Sequence, residues 1–130
     1  MKKLEIKQVA VGRLKPWKDN PRRNERAVPA VMKSIKRFGF NVPILCDKRL
    51  NIIAGHTRLE AAKRLGMTSV PVVALPLRDG ERHLFAIAEN RTSQLADWDP
   101  PRLKAVLSEL WARKLDVASA GFSRRELGRL

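Results

Sequence analysis

The segment Ile52-Ile53-Ala54-Gly55-His56-Thr57-Arg58 constrains the fold more than any other part of the chain. An apolar run suited to a buried strand meets a glycine, and an amphipathic stretch with Leu59, Ala62 and Leu65 on one stripe follows directly. Glycine permits a tight turn and close approach of another group to the backbone. The first N–H groups of a helix lack internal partners and lie at the positive end of its dipole, so such a turn is a natural phosphate cradle. Thr57 adds a hydroxyl, Arg58 a guanidinium able to hold phosphate through two hydrogen bonds, and His56 a donor or proton-transfer group. The same residues also make an ordinary strand–helix turn with glycine as a hinge. On spacing alone the two readings are evenly matched.

Around this turn the hydrophobic periodicity predicts a small α+β domain. Leu4, Ile6 and Val9 suggest a first strand, and Leu14-Lys15-Pro16-Trp17 through Asn20-Pro21-Arg22-Arg23 a proline-rich loop. Val28, Val31, Met32, Ile35 and Phe38 mark a helix over about 26–38, closed by Gly39. Residues 43–47 and 50–53 read as a hairpin, and 70–75 as a further strand, with Pro71 indicating an edge or a strand start. Helices are expected over 80–95, with Leu84, Ile87 and Ala88 inward, and from Asp99-Pro100-Pro101. The face of that fourth helix is Leu103, Val106, Leu107, Leu110 and Trp111. Ser123 and Glu126 have the spacing of a capping box. The three tryptophans, Trp17, Trp98 and Trp111, are expected to pack rather than to form a stacking platform.

Charge narrows the function. The net charge is +14 on 130 residues, and residues 1–37 hold 12 Lys and Arg against three Asp and Glu. Such clustering suits a polyanion, most often nucleic acid, and is weighed against a merely solvated basic face. Candidate DNA contacts are Arg22, Arg23 and the polar face of the first helix, Lys33, Lys36 and Arg37. Cys46 is the single cysteine, so no intrachain disulfide forms. No apolar run approaches the roughly 18 residues of a membrane span, and the charge-alternating start is unlike a leader peptide. A cytoplasmic protein without membrane association is expected.

Two further clusters carry chemistry. Asn20-Pro21 is held extended before Arg22 and Arg23, placing two arginines on a stiff loop. Glu89 and Asn90, late in the third helix, offer two oxygen ligands of the kind Mg²⁺ uses on a nucleotide. A polar turn and a solvated helix face are the plain alternatives. No Cys/His cluster has zinc spacing.

Together these segments resemble the ParB N-terminal domain, of the ParB/sulfiredoxin fold. The resemblance runs through Leu14-x-Pro-Trp17-x-x-Asn20-Pro21-Arg22, Ile35-x-x-Phe38-Gly39-Phe40-x-x-Pro43-Ile44, Ile53 to Leu59, Val70-Pro71-Val72, Glu89-Asn90-Arg91 and Leu95-Ala96-x-Trp98-Asp99, in order, over about residues 4–100. It implies a small mixed sheet with helices packed on it. It also implies a nucleotide- and DNA-binding domain over 1–96 and a helical C-terminal extension over 97–130.

The resemblance further implies a pocket for a nucleoside triphosphate, CTP or ATP, with Mg²⁺. Asn20, Pro21, Arg22 and Arg23 form the first box. Gly55, His56, Thr57 and Arg58 form the second, and Glu89 and Asn90 the metal-holding third. The family's second box reads Gly-Glu-Arg-Arg, so His56 and Thr57 are departures and Arg58 is kept. Sulfiredoxins carry a catalytic cysteine in the slot of His56.

Partners implied are DNA, nucleotide and a second copy in a homodimer. The run Glu81–Asp99 and the tail Gly121–Leu127 look closer to a phage and mobile-element subgroup. Three functions are set against one another. The first is a nucleotide-gated DNA-binding module acting in DNA segregation or phage and plasmid DNA transactions. The second is a nuclease or NTPase using His56 and Glu89 as catalytic groups. The third is an electrostatic DNA binder with no nucleotide site.

Overall fold

The two apolar runs around Lys48-Arg49 form the expected hairpin, and the sheet grows from it. A computed structural model describes residues 3–130; Met1 and Lys2, at the start of the charge-alternating segment, lie outside the described residues. Strands are β1 (Lys7–Ala10), β2 (Ile44–Asp47), β3 (Ile52–Ala54) and β4 (Ser69–Leu75). Helices are α1 (Val28–Phe38), α2 (His56–Arg64), α3 (Asp79–Gln94), α4 (Pro100–Ala112) and α5 (Arg124–Gly128), with 3-10 turns at Val11–Arg13 and Val117–Ala120.

The sheet order is β1-β4-β2-β3, antiparallel at β1–β4 and β2–β3 and parallel at β2–β4. This is the small mixed sheet of an α+β domain. Pro71 does not mark an edge, since β4 lies between β1 and β2. The parallel ladder with β2 begins at Val72, just past the proline, where the missing N–H no longer matters. The first strand starts later than expected, because Leu4 and Ile6 are exposed and unpaired with β4.

One core cluster gathers Ile44, Cys46, Val70 and Val72 from the strands, Leu14 from the first loop, Ile52, and Leu59 and Ala62 from α2. α1 packs on α2. Adjacent strand residues point to opposite faces, yet Ile52 and Ile53 are both buried, so β3 is covered on both sides. Its outer edge is also occupied. Lys15 pairs with Asn51 in parallel sense, its N–H donating to Leu50 O (2.9 Å) and its carbonyl accepting from the Ile52 N–H (2.9 Å).

The hairpin turn is organised by Asp47. Its Oδ1 accepts from the N–H groups of Arg49 and Asn51 (2.9 Å each), and its Oδ2 from Asn51 Nδ2 (2.9 Å) and Arg82 Nη1 (2.6 Å) of α3. Burial pushes this carboxyl up, but the hydrogen bonds from Asn51, Arg82 and Arg49 outweigh it and hold it below its ordinary value.

α3 presents a different face from the one its apolar residues suggested. Leu84 and Ile87 are 69% and 49% exposed and Ala88 is exposed, whereas Ala86 is buried. The inward stripe is chosen by the polar anchors Arg82 and His83 together with Ala86. On α4 Leu107 is buried and Leu103 and Leu110 are half-buried, but Val106 and Trp111 lie outside that face at 53% and 70% exposure. Trp111 is therefore not a packing residue. Trp98 is also largely exposed, with the Phe122 ring tilted against it at 5.6 Å between centroids. Asp99 caps α4 by accepting from the Arg102 N–H (3.1 Å), and the Ser123–Glu126 capping box is complete.

Asp47→Ala would strand a partly buried guanidinium and two turn N–H groups. It is expected to lower stability by about 3 kcal/mol or more in urea denaturation.

Candidate functional site: a cavity at the glycine turn

Gly55 has φ 109° and ψ 20°, the left-handed region that side-chain-bearing residues rarely enter. Space forbids a side chain as well. A Cβ at this position would lie 2.9 Å from Ile44 Cγ1, 3.3 Å from Ile44 Cα and 3.2 Å from Arg58 Nη2. The turn thus presses directly on the start of β2. The N–H groups of His56, Thr57 and Arg58 precede the first helical bond of α2, from Leu59 N–H to Gly55 O (2.9 Å).

The same residues line a cavity of about 340 Å³. Its polar walls come from three segments far apart in sequence: Asn20, Arg22 and Arg23 of the first loop, Gly55 to Arg58 of the turn, and Glu89, Asn90 and Ser93 of α3, while Ala27 and Val31 at the start of α1 add an apolar side. A groove of about 490 Å³ adjoins it, lined by Trp17, Pro21, Ile87, Arg91 and Gln94, and shares Asn20, Arg22, Arg23 and Asn90 with it. All three clusters picked out from the sequence therefore meet, with Pro21 on the adjoining groove. Lys33, Lys36 and Arg37 do not line the cavity. They lie on α1, where Lys33 pairs with Asp116 (3.8 Å) and Arg37 sits 5.6 Å from the Phe38 ring centroid.

The electrostatics favour an anion. Arg22, Arg23 and Arg58 face the single carboxylate among the lining residues, Glu89. Arg58 is the central cation. Its Nη2 donates to Pro43 O (3.3 Å), while its buried Nε has no hydrogen-bond partner. Burial pushes the guanidinium below its ordinary value, and the Glu89 carboxylate partly offsets this. The side chain stays charged nonetheless, so a buried cationic donor is held without a full set of partners. Asn90 spends its Nδ2 on Ala86 O (3.0 Å), which leaves its amide oxygen free to accept or to ligate.

His56 does something the sequence did not suggest. Its Nε2 accepts from the Trp17 backbone N–H (3.0 Å), tying the first loop to the turn. Burial lowers its pKa from the ordinary 6.5, consistent with a neutral, accepting imidazole. The Trp17 ring in turn stacks on His83 of α3, with centroids 4.3 Å apart and planes 4° from parallel. Trp17, Arg82, His83, Asn24 and Ser93 were not singled out from sequence as site residues. The available signal was spacing: His83 lies two helical turns before Asn90, on the same face.

A larger cavity, about 790 Å³, opens at the other end of the β2–β3 hairpin beside Asp47, Arg49, Arg78 and Arg82. Its central carboxylate and Arg82 already satisfy one another. The glycine-turn cavity instead retains an unpaired buried donor, and it is where the three motifs converge.

The domain is thus a small mixed sheet whose strand–glycine–helix turn faces an arginine loop and a helix-borne Glu-Asn pair. A sequence model of the ParB N-terminal domain matches residues 1–91, and the chain belongs to that family. It is 42% identical over 74 residues to the ParB-like nuclease domain-containing protein YnaK of Escherichia coli K12, spanning 56% of this chain and 85% of that protein. A probable chromosome-partitioning protein ParB from Coxiella burnetii is 29% identical over 125 residues, 91% of this chain but 43% of that one.

Among solved structures, the C-terminally truncated chromosome-partitioning protein ParB from Caulobacter crescentus complexed with CTP-gamma-S superposes with a TM-score of 0.70 at 27% identity. The match covers 82% of this chain and 62% of that one. The chain therefore spans less than two thirds of both partition proteins.

Two outcomes test the geometry. Gly55→Ala is expected to cost roughly 1–3 kcal/mol, from the positive φ and the contact with Ile44, read by chemical denaturation. The depressed His56 pKa means that the unfolded chain takes up a proton first as pH falls below about 6.5. His56 therefore contributes a loss of stability on acidification that is absent above this range. His56→Gln, which keeps an acceptor for Trp17, should shrink the drop in Tm between pH 7.5 and 5.5; an unchanged drop would contradict a neutral, buried His56.

Proposed function

We propose that this chain is a DNA-binding module gated by a nucleoside triphosphate with Mg²⁺, acting in DNA partition or related DNA transactions. The observation that carries this is the convergence of Arg22 and Arg23, the Gly55–Arg58 turn and Glu89-Asn90 on one cavity, with a buried Arg58 Nε left unpartnered. The turn N–H groups and Arg58 would hold phosphate oxygens. Arg22 and Arg23 would close over them, and Glu89 and the Asn90 amide oxygen would reach the metal. Mg²⁺ usually keeps several waters and takes one or two protein ligands beside phosphate oxygens, which suits a wall with a single carboxylate. The CTP-gamma-S in the Caulobacter relative supports a cytidine nucleotide as the first to try.

His56 stands where the family's second box has glutamate. Here it pins the first loop and, being neutral, adds no negative charge beside a triphosphate. A role in proton transfer would compete with its bond to Trp17. DNA contact is assigned to the basic N-terminal part of the chain, with Arg22 and Arg23 shared between ligand and DNA, and Lys36 and Arg37 exposed at the end of α1. The name of the Escherichia coli relative supports a second reading, metal-dependent DNA cleavage through Glu89.

A thermal-shift panel of CTP, ATP, GTP and UTP, each with and without Mg²⁺, tests the first reading. At a hundredfold excess over Kd, one triphosphate should stabilise by about 2.7 kcal/mol, a rise on the order of 10 °C for a domain this size. Arg58→Ala should abolish it. No rise with any triphosphate, together with DNA affinity that depends on salt alone, would leave a purely electrostatic binder. DNA cleavage lost in Glu89→Ala would favour the nuclease.

A further inference from the structure

The cavity has three polar walls, and Trp17 touches a residue on the segment that carries each of them. Its backbone N–H donates to His56 Nε2 (3.0 Å) beside the phosphate turn. Its ring stacks on His83 of α3 at 4.3 Å. Its carbonyl accepts from the Asn20 N–H (3.2 Å), in the loop that carries Arg22 and Arg23.

The attachment of α3 is uneven along its length. Arg82 is held by Asp47 at 2.6 Å, His83 by the Trp17 ring, and Ala86 is the single buried residue of the helix. The cavity residues Glu89, Asn90 and Ser93 lie one to two turns further on, with no buried neighbour on the helix beyond Ala86. From His83 to Asn90 is seven residues, a lever of about 10 Å. A tilt of about 10° at the anchor would move Asn90 by roughly 2 Å, enough to spoil hydrogen-bond geometry.

Asp47–Arg82 and the packing of Ala86 seat the first half of the helix, where α3 also packs on β3. The Trp17–His83 stack adds a lateral anchor to that half. It is also the one anchor whose other end belongs to the arginine loop and, through the backbone N–H, to the phosphate turn.

We infer that Trp17 and His83 form a positioning pair that sets the width of the cavity and couples the seating of α3 to its occupancy. This rests on the reading of the cavity as a triphosphate site. Neither residue lines the cavity itself; Trp17 lines the adjoining groove. A ligand bridging Arg58, the arginine loop and the Glu89-Asn90 wall holds the two rings in register. By linkage, the stack then tightens binding to the same degree that binding protects the stack.

The full chain carrying Trp98→Phe and Trp111→Phe keeps Trp17 as its single tryptophan, and both replaced side chains are largely exposed. In this background, His83→Ala, His83→Phe and Trp17→Leu are compared by hydrogen exchange without ligand and by calorimetric titration with CTP and Mg²⁺. His83→Ala should shift the Trp17 emission to the red and speed exchange in both 18–24 and 87–95. It should also weaken CTP binding about tenfold. His83→Phe, which keeps an aromatic ring for stacking, should stay within about twofold of the parent in both measurements. Trp17→Leu, which keeps the backbone N–H to His56, should repeat the loss seen with alanine at 83.

Parent-like exchange and affinity in His83→Ala would overturn the proposal. So would His83→Phe behaving like His83→Ala, since polarity rather than stacking would then be at work. If the parent binds no triphosphate, the nucleotide reading falls. The ligand-free exchange then decides the positioning pair by itself: coupled exchange in the two segments upholds it, and independent exchange overturns it.

Discussion

The structure depends on β3 being held on every side. Only three residues long, the strand is paired with β2 on one edge, bridged by Lys15 on the other and covered on both faces. Two neighbours follow its direction. The Lys15–Trp17 segment runs parallel to it, and α3 starts at the hairpin turn through Arg82 and reaches the cavity at Glu89 and Asn90. Three stretches of chain thus travel together and deliver their polar residues at the same end. An apolar strand at the centre lets groups separated by dozens of residues converge without a long structureless connection.

Convergence has an electrostatic cost. Three arginines meet one carboxylate, and the half-buried Arg58 keeps its buried Nε donor unsatisfied. The fold carries this load because the surrounding elements are fixed by interactions complete in themselves. Asp47 uses four hydrogen bonds to close the hairpin and anchor α3. Gly55 accepts a left-handed backbone so that Ile44 can pack against the turn. The strain and unmet polarity sit at the cavity, and the rigid, satisfied geometry lies around it.

Much of this was legible in the sequence, and the reason is local chemistry. The hairpin, the glycine turn, the start of α4 at Asp99-Pro100-Pro101 and the Ser123–Glu126 box each announce themselves within a few residues. The cavity-lining clusters were visible because their residue types are unusual for plain loops and helix faces, and the ParB resemblance supplied their grouping. The inward face of α3 was not legible. Periodicity weighs Leu84 and Ile87, but the helix is seated by Arg82 and His83, whose partners Asp47 and Trp17 lie 35 and 66 residues away in the sequence. Pro71 misled for a related reason. Its effect on a strand depends on which neighbour pairs with it, and the parallel partner β2 engages only beyond it. Trp111 and Trp98 misled because large apolar side chains are expected inside, while the C-terminal helices leave both uncovered.

The same enclosure that seats β3 and β2 also isolates Cys46. Its side chain is fully buried, and burial, with Asp47 beside it, raises the thiol pKa to about 11. At neutral pH on the order of one molecule in ten thousand carries the thiolate, and thiolate is the form that reacts with alkylating agents and disulfides. The native thiol is therefore chemically silent while the fold persists. A cysteine introduced on the arginine loop or on α3 would take up a spectroscopic label alone, with Cys46 left in place. Reaction of Cys46 itself would then report the opening of the sheet.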